Sequence, residues 1–177
     1  MGLIYFLRDI FLATLDALLA RQRRRYEHSV FIRAPRDIVW NMIRARDIEF
    51  EGLVPLRLHA AGVPGRPDCE LVHVTAGDIE LAMLTRTVDL KDEQAILYEI
   101  LPEGTDPALV EGIDDYISFV LADTAGGTRL DLMRELSPLR WIARLSVPIG
   151  LRSGAKRYKR KAETIARDMG WLQASKG

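Results

Sequence analysis

Apolar positions change period along the chain, and the sharpest change falls at residues 27–43, EHSVFIRAPRDIVWNMI. Val30 and Ile32 fall on one side of an extended chain, with Ser29, Phe31 and Arg33 on the other. That alternation is the period of a half-buried strand over His28–Arg33. Pro35 then supplies a fixed φ suited to a first helical turn, and Asp37 places an acid near the positive end of the helix dipole. Ile38, Val39, Met42 and Ile43 follow at helical spacing. The pattern predicts a strand and a helix joined by Ala34-Pro35.

Asp47-Ile-Glu-Phe-Glu-Gly52 reads as a second short helix, with an acid at its start and a glycine at its end. Extended runs follow, separated by turn residues. Leu56–Ala61 precedes a loop rich in Gly and Pro, 62–67, and Glu70–Thr75 joins Ile79–Val88 through Ala76-Gly-Asp78. Gln94–Leu101 comes next, and Asp115–Ala122 joins Thr128–Leu136 across a second glycine-containing turn. In 79–88 two alternating sets compete for the inward face, Ile79, Leu81, Met83, Thr85 and Thr87 against Glu80, Ala82, Leu84, Arg86 and Val88. Residues 102–112, with two Pro and two Gly, exceed what a hairpin needs and could shape the mouth of a cavity. Beyond Ser137-Pro138 the period becomes helical, with Leu151, Ala155, Tyr158, Ala162, Ile165, Ala166, Met169 and Leu172 on one face. Pro148, Gly150 and Gly154 predict a kink, or a short helix before the main one. About six strands between an early and a late helix give an α+β antiparallel architecture.

The strand, the Ala34-Pro35 step and the helix entry carrying Val39-Trp40 resemble the opening of the START-like (SRPBCC) superfamily, which includes polyketide cyclases/dehydrases, Bet v 1-like proteins and lipid-transfer proteins. The resemblance spans about residues 27–172 and implies a helix-grip fold. A curved antiparallel sheet would wrap a long C-terminal helix around an apolar cavity. It implies binding or transport of a hydrophobic small molecule, a lipid, an isoprenoid or a polyketide-like compound. The alternative it leaves open is a cofactor-independent cyclase or dehydratase. The chain departs from many such sequences at Gly52-Leu-Val-Pro55, where they carry a tryptophan-containing turn.

Residues 1–20, MGLIYFLRDIFLATLDALLA, form a separate element. Arg8, Asp9 and Asp16 cluster within an arc of about 100° on a helical wheel, and the rest is mainly Leu, Ile and Phe. Segregated charge marks an amphipathic helix and opposes a spanning one, because each buried Asp costs about 2.5–3.5 kcal/mol at the bilayer centre. A secretory signal fits poorly, with no basic residue before the apolar run and no Ala-x-Ala step before Arg21. Arg21, Arg23, Arg24 and Arg25 follow directly. The division is therefore 1–25, an amphipathic helix with a basic linker, and 26–177, the ligand-binding domain. The helix has three candidate partners: an anionic membrane surface, its own domain, or the same helix in a homodimer. The expected location is cytoplasmic, at the inner face of the membrane where the helix docks there.

Composition adds one asymmetry. The 177 residues balance 25 basic against 25 acidic side chains, yet the ends are basic and the middle acidic. Residues 1–25 carry a net +3, 138–177 a net +8, and 26–137 a net −11. Lys156, Lys159 and Arg160, within the run 156–161, extend the candidate membrane-facing set. The acidic body disfavours nucleic acid as a partner. Cys69, the single cysteine, excludes an intramolecular disulfide and sits between Asp68 and Glu70, which oppose a thiolate. No zinc spacing, glycine-rich phosphate loop or nucleophile elbow is present, so neither a metal nor another cofactor is expected. Arg86, Tyr98, Tyr116, Ser118 and Arg134 are the candidate polar groups of the cavity, with His73 as a further one. Arg134 stands among Leu130, Leu132 and Leu136, either paired with an acid or aimed at a ligand oxygen. No catalytic residue can be assigned from these positions.

Overall fold

The computed structural model describes residues 24–52, 54–101, 115–136 and 141–171. The expected helix over 1–20, Arg21, Arg23 and the loop 102–112 lie outside them. Strand β1 (Arg24–Ile32) is followed by helix α1 (Arg36–Ile43) and seven strands. These are β2 (Asp47–Phe50), β3 (Leu56–Val63), β4 (Arg66–Ala76), β5 (Ile79–Lys91), β6 (Ala95–Leu101), β7 (Tyr116–Thr124) and β8 (Gly127–Leu136). Helix α2 (Trp141–Asp168) follows. The strands form one antiparallel sheet in the order β1-β8-β7-β6-β5-β4-β3-β2. Strands β2 to β8 are hairpin neighbours in sequence, while β1 and β2 occupy opposite edges. Helix α1 makes that one crossing, and this places it across the concave side of the curved sheet. This is the helix-grip fold, with α2 packed on β1, β8 and α1.

Strand β1 begins at Arg24, so Arg24 and Arg25 are sheet residues rather than linker. Ile32 is fully buried and Phe31 points outward, as the alternation requires. Five of the eight α1 residues are buried, among them Val39 and Trp40. The 47–52 segment is a strand, not the expected helix. Ile48 and Phe50 are buried while Asp47 and Glu49 are exposed, and two apolar residues two apart suit a sheet edge better than a helix. Asp47 instead takes both nitrogens of the Arg57 fork, at 3.1 and 2.8 Å, which holds its carboxyl below the usual range.

Helix α2 runs unbroken through Pro148, which stands exposed within it. Ala155, Ala162 and Ala166 are fully buried, so the helix approaches the sheet closely along a small-residue face. Met169, expected on that face, is 70% exposed because the helix ends at Asp168 and Gly170 turns the chain with φ +80°. One turn requires a glycine for space: a Cβ on Gly127 would lie 2.2 Å from the Ile32 carbonyl. Next to it, the buried Thr128 hydroxyl donates to the Ala34 carbonyl at 2.8 Å and ties β8 to the end of β1.

Candidate functional site

Register decides which side chains reach the space between sheet and helices. Ile48 lies opposite Leu58, Leu58 opposite Val74, and Ala60 opposite Val72. Val72 faces Met83, Tyr98 faces Ile117, and Ile96 faces Phe119. With a period of two these residues share the concave face. In β5 that face is the Ile79–Thr87 odd-numbered set, which settles the ambiguity left by the sequence; a bulge between Thr87 and Asp89 then shifts the register.

A cavity of about 240 Å³ lies over this face. Its apolar wall includes Ile43, Leu58, Val72, Met83, Ile117 and Phe119, and α2 contributes Tyr158. Larger clefts of about 450, 430 and 390 Å³ have more polar linings; the first is bordered by Arg157, Arg160, Lys161 and Arg167. The roof of the cavity is aromatic. The Tyr158 ring meets Phe50 edge-on at 5.1 Å and Phe119 at 5.7 Å, and Phe119 meets Tyr98 at 6.3 Å. Such edge-to-face pairs contribute about 0.5–1.5 kcal/mol each beyond their buried area. They fix the rings where a ligand would lie.

Polar groups gather at one mouth, under the α1–β2 connection. The Arg44 guanidinium donates from Nη1 to the Tyr98 hydroxyl at 3.3 Å. Arg46 Nε lies 3.3 Å from Glu70 Oε1, and the buried Thr85 hydroxyl donates to the Glu70 carbonyl at 3.2 Å. Burial pushes the Tyr98 phenol up, against the pull of Arg44, and burial pushes Tyr158 further up still. Both hydroxyls are therefore protonated at neutral pH and can donate to a ligand. Among the described residues, no cluster of His, Cys, Asp and Glu could hold a metal.

Of the six residues singled out in the sequence, Tyr98 lines this cavity. Arg134 shares the concave face but pairs with Asp115, Nη2 to Oδ2 3.7 Å, beyond the cavity wall. Arg86, Tyr116, Ser118 and His73 fall on the opposite face by strand parity. Arg86 pairs there with Glu99, and His73 lies 3.7 Å from Glu80. Arg44, Arg46, Glu70 and Tyr158 were not singled out. Tyr158 sits inside a run of five basic residues, and the signal for it was a phenol on the otherwise small, apolar face of α2. The buried Cys69 lies on the outer face, and burial raises its thiol pKa, as an inert thiol requires.

The basic residues divide between layers. Arg25 is exposed on the face away from α2 and pairs with Glu27. Lys156 and Arg160 are exposed on α2, and Lys159 lies 3.9 Å from Glu163. Arg157 donates to the Val54 carbonyl at 3.1 Å and, with Arg160, Lys161 and Arg167, lines the 450 Å³ surface cleft. No helix of the described residues is long and apolar enough to cross a membrane.

No family model matches the sequence, and no curated relative matches it. Solved structures do match the fold. The AHSA1-like protein from Aeromonas hydrophila superposes with a TM-score of 0.58 at 12% identity, over 81% of this chain and 94% of that one. The Aha1 dimer from Colwellia psychrerythraea gives 0.56 at 12%, over 79% and 96%. The di-domain aromatase/cyclase BexL of the BE-7585A biosynthetic pathway gives 0.55 at 12%, over 92% of this chain and 61% of that one. The chain thus shares with these solved structures the helix-grip fold, an antiparallel sheet with a long helix packed across it.

Proposed function

We propose that the chain binds or carries a hydrophobic small molecule, a lipid, an isoprenoid or a polyketide-like compound, in the 240 Å³ cavity, and does so at an anionic membrane surface. One observation carries the reading: mainly apolar side chains from six strands and both helices line a half-open cavity that they do not fill. The membrane part rests on the sequence of 1–20 and on the exposed basic side chains of α2, each worth about 1 kcal/mol near an anionic leaflet. Arg25, on the other face of the sheet, lies outside that α2 surface. A homodimer formed through 1–20 is the competing use of that segment.

The cyclase or dehydratase alternative draws on the same space, and BexL shares the fold. Its acid–base groups would have to come from Tyr98, Tyr158 and Glu70, since His73 faces away. Fluorescence of N-phenyl-1-naphthylamine, a neutral probe, tests occupancy. It brightens on binding the wild type and stays dark with Ala60→Phe, which fills the cavity from β3. Equal brightening with both proteins would contradict the proposal. Chemical alteration of a bound polyketide-like compound, followed by NMR, would favour the enzyme.

A further inference from the structure

We infer that the mouth of the cavity is a seat for an anionic head group, so that the ligand is an amphiphile with a carboxylate or similar single-charge anion held by Arg44 and Tyr98 and an apolar tail against Met83 and Ile117. This rests on the cavity being a binding site. The charge balance at the mouth carries the step. Arg46 and Glu70 neutralise each other at 3.3 Å. Arg44 is left with a neutral partner: among the described residues its guanidinium bonds only the Tyr98 hydroxyl, at 3.3 Å. A guanidinium presents five donors in a planar fork suited to a carboxylate, and one phenol oxygen uses a single donor. Among the described residues, the mouth therefore holds one positive charge without an ion-pair partner.

Arg44 caps the C-terminal end of helix α1, whose partial negative charge opposes an anion, so the guanidinium itself must hold the head group. Its side chain is exposed, so an anion meeting it need not be fully desolvated. The Tyr98 hydroxyl, kept protonated by burial, adds a second donor beside it. Below these groups the wall is apolar, which suits a hydrocarbon tail and not a second polar end. A purely apolar ligand would leave Arg44 unused.

Two competitors of equal chain length test this with the full chain at pH 7.4 and submicellar concentration: decanoate and decanol, each displacing N-phenyl-1-naphthylamine. An apolar cavity without a seat prefers decanol, since the carboxylate carries a large desolvation penalty. The expected result is displacement by decanoate at about tenfold lower concentration than decanol, a preference of roughly one charge-assisted contact. Arg44→Met should raise the decanoate concentration about tenfold and leave decanol within about threefold. Tyr98→Phe should weaken decanoate in the same direction with Arg44 intact. Equal or better displacement by decanol in the wild type overturns the inference alone. So does an equal loss of both competitors in Arg44→Met. A wild type that never binds the neutral probe overturns the cavity reading and this inference with it.

Discussion

Arg86 stands directly opposite Glu99 on neighbouring strands, with its Nε 3.0 Å from Glu99 Oε2 on the face away from α2. Glu99 is 3% exposed and Arg86 29%, so the carboxylate depends on that guanidinium for its charge. Removing one member of such a pair strands the other. Arg86→Met should destabilise the fold by about 3 kcal/mol in urea titration, because it leaves the buried Glu99 carboxylate without its partner. It should leave probe affinity unchanged in the folded protein, because the pair lies across the sheet from the cavity. A loss of binding without a loss of stability would place Arg86 with the ligand.

The contact of Gly127 with the Ile32 carbonyl makes a second prediction. Gly127→Ala forces backbone against backbone and should cost about 3 kcal/mol or more, while Gly62→Ala, with open space around its Cβ, should stay within about 0.5 kcal/mol. Chemical denaturation of the two variants compares them directly.

Alkaline titration reads the aromatic roof. Tyr98 and Tyr158 both have pKa values raised by burial, so the folded state holds their protons to higher pH than the unfolded state. Their contribution to stability is fully present below the ordinary tyrosine pKa near 10 and is lost as pH rises through the raised values. Phenolate absorbance should show a late phase coincident with unfolding, and Tyr158→Phe should shrink that phase. Complete ionisation near pH 10 with the fold intact would contradict the burial.

Anionic vesicles should sediment the full chain and neutral vesicles should not, with binding weakened by salt. Lys156→Glu with Arg160→Glu should reduce the bound fraction severalfold, since each charge near the surface contributes about 1 kcal/mol. Unchanged sedimentation would remove α2 from the membrane contact. A full chain that ignores anionic vesicles but runs as a dimer would favour pairing of the 1–20 segment.

Much of the fold was legible because most elements carry a clean period. The 28–33 alternation, the α1 spacing and the small-residue face of α2 each state their own partner surface. The 47–52 segment misled because its acid and glycine mimic helix caps, and only the Ile48–Phe50 spacing spoke for a strand. The site was less legible for a physical reason. Which parity of a strand faces inward depends on its neighbours, so Arg86 and Ser118 could not be separated from Tyr98 by pattern alone. Arg44 and Arg46 belong to a connection, where no period applies. Their role follows from α1 crossing the sheet and setting that connection over Glu70 and Tyr98.

Native mass spectrometry of the full chain purified from its own host tests the central claim most directly, with Ala60→Phe purified alongside. The account predicts an added mass on the wild type, released by organic solvent as an amphiphile with an apolar tail, and its loss from Ala60→Phe. A bare wild-type mass, or the same adduct on both proteins, would contradict it.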